Sequence, residues 1–242
     1  DSALAIMGNH ELNAILFHAD DGRGDGLRKR TEANTHHHET FLREAPLGSA
    51  EAAEALSIMM GLPLFADLGG LRAVHAYWRD DVMAEIVRRR PDGRIRAEDL
   101  PEIALDREGS PFGVAVTMAA KGPEADLPPG SWYADKHGKK RDAVRMCWWA
   151  PAADFHSAII SCPDLTNIPN GPVPAHVAEL IYPADAPPVA FGHYQLPDEA
   201  ALGANTLCLD VPGRPMAYRW DGEQQFDPEK LLAPAARSPE PG

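Results

Sequence analysis

The sequence has no run of about 18 consecutive apolar residues, so no membrane-spanning helix is expected. It has no basic segment followed by an apolar stretch near residue 1, the pattern of a secretory leader. Basic residues are scarce: 23 Lys and Arg stand against 36 Asp and Glu, a formal net charge of -13. That balance argues against a surface that holds nucleic acid through phosphate contacts, which needs clustered Lys and Arg. Three cysteines, Cys147, Cys162 and Cys208, are too few for a disulfide framework and suit a reducing, cytoplasmic setting. With 242 residues, 44% hydrophobic and 24% charged, the chain can bury a globular core. No internal repeat is visible.

Helical spacing and stop signals predict helices at 11–18, 35–45, 49–61 and 80–90. The last of these opens on Asp80 and Asp81 and closes on Arg88, Arg89 and Arg90, the charge order a helix dipole favours. Shorter helices are expected near 112–120 and 175–181. Apolar runs predict strands at 3–7, 71–78, 143–149 and 188–194. A hairpin is expected from 206–211 and 216–220, joined by Pro212-Gly213-Arg214-Pro215. The residues from 233 onward read as a disordered tail.

Three of the apolar runs end on histidine: Leu4–Met7 leads to Gly8-Asn9-His10, Leu71–Val74 to His75, and Pro188–Phe191 to Gly192-His193. Ligands gather beyond the carboxyl ends of strands in open α/β sheets. Neutral imidazoles there are good ligands for first-row metals, and a preceding glycine lets the backbone come close. Each histidine taken alone reads as a hydrogen-bonded polar residue. Spacing leaves open whether the three converge.

Gly8-Asn9-His10-Glu11 after an apolar run resembles the GNH[DE] signature of the calcineurin-like metallophosphoesterases. Gly70–His75 and Phe191-Gly192-His193-Tyr194 follow in the family's order. Trp148-Trp149, Cys208-Leu209-Asp210 and Ala217–Gly222 are also similar to segments of its bacterial serine/threonine-phosphatase-like and diadenosine-tetraphosphatase-like branch. The resemblance spans roughly residues 3–222.

The resemblance implies an α/β fold, part of a four-layer sandwich of mixed sheets flanked by helices. Its core would cover 1–80 and 143–232, with an inserted cap at 81–142. It implies metal ligation by Asn9, His75 and His193, with His10 as general acid toward the leaving oxygen. It implies divalent metal, Mn2+ first and Fe or Zn next, in a two-metal centre that activates hydroxide for attack on phosphorus. Phosphoproteins or small phosphorylated molecules would be the substrates, with neither nucleic acid nor membrane as partner.

The family's D-x-H and GDxxDRG segments do not precede Gly8. This chain is therefore expected to lack an N-terminal part and to be weakly active alone. Asp135-Lys136-His137-Gly138 matches D-x-H-G but falls in a turn-rich stretch, and Asp20–Asp25 reads as a surface loop. A non-catalytic regulatory module that keeps the fold, and a mononuclear zinc hydrolase, are the alternatives.

Other residues invite weaker readings. His36-His37-His38 reads as the start of a native helix, and Arg79 as half of a surface ion pair. Cys147, His156 and Cys162 lack the spacing of a zinc knuckle. At least one of Trp148 and Trp149 should be core.

Overall fold

A computed structural model describes residues 3–135, 138–196 and 203–232. The architecture is mixed α/β. The chain forms two compact units. One takes in the residues up to Ala66 together with Ala73–Lys121; the other takes in Asp67–Arg72 and the residues from Gly122 onward. The stretch 81–142 is thus shared between the two units, with the division at residue 121.

The first unit is built on helices. α1 (Asn9–His18) buries Leu12, Ala14, Ile15, Leu16 and Phe17, and it packs on α3 (Ala50–Met60). α2 (Glu32–Glu44) lies between them in sequence and buries no residue. Its N-cap is Thr31, whose hydroxyl accepts the Asn34 amide; Ser49 caps α3 in the same way through Ala52. α4 (Asp80–Arg89) turns Val82, Met83 and Ile86 inward against α6 (Pro111–Lys121). α6 supplies Phe112, Val116, Ala119 and Ala120 to the core. Between them, α5 (Leu100–Ile103) follows Asp99, a carboxylate with no solvent exposure. Arg90 binds it through Nε at 2.8 Å and Nη2 at 2.7 Å. Arg89 comes within 3.2 Å, and the Arg96 amide donates to it at 2.8 Å.

α2 is held to α1 by rings. His38 lies 4.8 Å from Phe17 and 4.9 Å from Phe41, centroid to centroid, and His18 sits edge-on to Phe41. The two imidazoles meet through Nε2 at 3.0 Å. Burial, then His18 and Arg28, push the His38 pKa down to about 4, and burial with Arg30 lowers that of His18. Both groups are depressed below their unfolded value near 6.5, so the unfolded chain binds protons first. The stability they carry is present above pH 6.5 and is lost as pH falls toward 4. Partial exposure weakens the effect, leaving it on the order of 1 kcal/mol, or ~2–4 °C of melting temperature. His38→Gln should flatten that part of the thermal stability profile between pH 7 and 4.

After β1 (Phe65–Asp67) and β2 (Arg72–Val74), the second unit carries further paired strands, among them β4 (Tyr133–Ala134) with β5 (Lys140–Arg141). β3 (Glu124–Asp126), β6 (Ala143–Met146) and β7 (Ile159–Ile160) form an antiparallel sheet with β6 in the centre. β8 (Val189–Phe191) runs parallel to β9 (Thr206–Cys208), with Phe191 opposite Cys208. Trp148, fully buried, stacks near Phe191 and donates its indole N–H to the Tyr194 hydroxyl at 3.1 Å. Gly122 makes room for that hydroxyl: its φ is +82°, and a Cβ there would collide with Tyr194 Oη.

Three expectations are corrected. Residues 3–7 form no strand: Leu4 is exposed, while Met7 is buried and its amide is bonded to the Pro63 carbonyl at 2.8 Å. An apolar run pairs only where a neighbouring strand offers its edge. Asn9 and His10 are not in a loop; they form the first turn of α1, because extended Gly8 serves as the N-cap. The hairpin is tighter than predicted: β10 (Asp210–Val211) pairs with β11 (Arg214–Pro215) around Pro212-Gly213. β12 (Ala217–Tyr218) pairs instead with β13 (Leu231–Leu232). The predicted disordered tail from 233 lies outside the described residues.

No helix among the described residues is long and apolar enough to cross a membrane.

Candidate metal centre

α1 starts at Asn9 because Gly8 is extended (φ −101°) and its amide donates to the Glu11 carboxylate at 2.9 Å. A Glu three residues past the N-cap is the acceptor half of a capping box. The bond fixes the first turn and with it the directions of Asn9 and His10. β1 (Phe65–Asp67) and β2 (Arg72–Val74) flank the turn at 68–71, and His75 follows the last residue of β2.

The two residues meet. His75 Nε2 lies 2.8 Å from Asn9 Oδ1, 66 positions apart in sequence. The amide oxygen only accepts, so His75 carries its proton on Nε2 in this contact. Gly8 lies directly beneath: a Cβ there would fall 2.9 Å from Cε1 and Nδ1 of His75 and 2.8 Å from Glu11 Oε2. Glycine before Asn9 is thus required by close packing of the imidazole, its φ being open to any residue.

This pair can accept a cation. Two ligands at about 2.1 Å from one ion, set at right angles, stand about 3.0 Å apart, close to the separation found. An amide oxygen with an imidazole nitrogen suits Mn, Fe or Zn. Such an ion would replace the hydrogen bond with two coordination bonds, the imidazole proton moving to Nδ1 and the ring and amide turning until their lone pairs converge. Among the described residues, no group of three or more His, Cys, Asp or Glu side chains is arranged to hold a metal.

His10 is exposed, next to Asn9 at the helix start. Its side chain is therefore accessible to a ligand arriving at the N-terminal end of α1. His193 belongs to the second unit, two residues past the end of β8. Its φ is +74°, an uncommon conformation for a residue with a Cβ, and its ring is edge-on to Tyr194 at 5.1 Å.

Sequence reasoning missed the role of Glu11, although its position three residues after Gly8 was the signal. It also missed His18 and His38 as partners, since no periodicity links two helices across a loop. The remaining candidates behave as surface or core groups. Arg79 pairs with Asp81, Asp25 accepts the Arg30 amide within its loop, and Asp135 closes a turn with Gly138 and binds Arg141. His137 lies outside the described residues. The three cysteines are free, and His156 meets the Ile168 carbonyl. Burial pushes the Cys147 thiol up and raises Cys208 to about 11. Trp148 is core.

No protein-family model matches the chain, and no curated protein matches it significantly.

Proposed function

We propose that the protein is a metal-dependent phosphoester hydrolase of the metallophosphoesterase type, working in the cytoplasm on phosphoproteins or small phosphorylated molecules. The observation that carries this reading is the 2.8 Å approach of His75 Nε2 to Asn9 Oδ1, over a glycine that no larger residue could replace without displacing the ring. The four-layer sandwich belongs to the same proposal.

Asn9 and His75 hold a divalent cation, Mn2+ first and Fe or Zn next. The bound metal supplies Lewis acidity toward the phosphoryl group and lowers the pKa of a nucleophilic water. Glu11 keeps Asn9 and His10 aimed by holding the Gly8 amide. His10, exposed at the start of α1, donates a proton to the leaving oxygen.

Turnover of p-nitrophenyl phosphate with Mn2+, in this chain and in a version extended upstream, tests the reading. His10→Ala should lower turnover by ~10²–10⁴-fold, the usual worth of a positioned general acid. Mn2+ affinity should stay within about twofold, because His10 is not a ligand. Loss of metal would overturn its assignment as acid. Metal binding without turnover in either version would identify a non-catalytic module instead.

A further inference from the structure

The far end of α1 holds a second pair of metal-binding side chains, about 14 Å along the helix from Asn9 at 1.5 Å per residue. His18 closes α1, and His38 comes from α2. Their Nε2 atoms face each other at 3.0 Å, between Phe17 and Phe41. Two imidazoles on a shared ion, with bonds of about 2.0–2.1 Å, place their nitrogens about 2.9 Å apart at a square-planar corner and about 3.3 Å apart on a tetrahedral edge. The observed spacing lies between these values, and each ring must turn so that its Nε2 lone pair aims at the ion instead of at its neighbour.

We propose that His18 and His38 clamp a divalent transition metal, with Cu2+ favoured over Zn2+ by the usual affinity order and water completing the coordination. Binding moves the proton between the rings to Nδ1 of the ring that donated it, so both imidazoles ligate through Nε2 in the neutral form. The charges nearby pull in opposite directions. The C-terminal carbonyls of α1 favour a cation at His18. Arg28, bonded to Asn13 and Asn34, and Arg30, bonded to the Phe17 carbonyl, oppose it. The site is therefore a moderate-affinity one. Its consequence is mechanical: an ion bridging α1 and α2 fastens a helix that buries no residue of its own.

His36 and His37 are exposed and could bind metal by themselves, so the test uses the His36→Ser/His37→Ser double variant as its parent. Cu2+ is titrated by calorimetry, and its nitrogen ligands are counted by electron paramagnetic resonance. With His75→Ala added to remove the Asn9–His75 centre, the parent should take up one ion with two imidazole nitrogens. His18→Gln and His38→Gln should each weaken binding at least tenfold, while His75→Ala leaves this ion in place. That last comparison separates the clamp from the Asn9–His75 centre, whose failure would leave the clamp untouched. Fewer than two imidazole nitrogens in the parent overturns the proposal even if a Gln variant does not fold. Undiminished affinity in both folded Gln variants overturns it equally.

Discussion

Asp99→Ala is expected to cost the first unit about 3–5 kcal/mol, the usual penalty for breaking a buried ion pair from one side. The carboxylate is inaccessible to water and answers three donors: Arg90 through two nitrogens, Arg89, and the backbone amide of Arg96. Burial alone would raise its pKa. The Arg90 hydrogen bonds and the Arg96 amide outweigh burial and hold the carboxyl below its ordinary value. Removal leaves the Arg96 amide without this acceptor and two guanidinium groups crowded at one point. Because Arg89 and Arg90 are partly exposed, they can turn toward water, so the loss should fall at the lower end of the range. A chain of this size loses ~2–4 °C per kcal/mol, so melting should drop by at least about 6 °C. Asp99→Asn, which keeps the shape and one acceptor, should lose less. A melting temperature unchanged in Asp99→Ala would show that the arginines are anchored by other groups.

Gly8→Ala is expected to disable the Asn9–His75 centre while leaving the chain folded. The backbone at Gly8 suits alanine, so the effect is steric. The new methyl would stand 2.9 Å from the His75 ring and 2.8 Å from Glu11 Oε2, closer than carbon atoms tolerate. Either the ring retreats from Asn9 or Glu11 releases the Gly8 amide, and both outcomes misalign the first turn of α1. Such overpacking costs about 1–3 kcal/mol of stability. Misplacement by about 1 Å at a reacting centre can cost on the order of 10²-fold in rate. Mn2+ affinity and turnover should fall together in this variant, in contrast to His10→Ala, where affinity holds. Wild-type Mn2+ affinity in Gly8→Ala would separate the Asn9–His75 contact from metal binding.

Helices were legible where charge, capping and apolar spacing agree. α4 shows its Asp-to-Arg polarity and its buried Val82, Met83 and Ile86 directly in sequence, and α3 lies between Ser49 and Gly61 as read. α6 was read to within about one residue at each end despite its Pro- and Gly-rich surroundings, because Phe112, Val116 and Ala120 recur at helical spacing. Strands were harder, since a strand is defined by a partner that local sequence does not name. Leu4–Met7 has strand composition and no neighbour; Ala217–Tyr218 found its partner at 231–232, across a turn-rich segment that hid the pairing. In the candidate centre, the residue types and the glycine were readable from the Gly8–Glu11 tetrad and the strand end before His75. The contact between Asn9 and His75 was not, because it depends on how α1 and β2 pack.

The thin fastening of α2, by ring contacts, the His18–His38 hydrogen bond and Arg28 between Asn13 and Asn34, has a thermal corollary. A segment that buries no side chain can detach at a free energy well below that of unfolding the body it rests on. Its amides should then exchange with solvent deuterium through brief excursions of that one helix, while those of α1 wait for rarer, larger openings. The protein thus carries, beside α1, a flap whose departure uncovers the Phe17 ring.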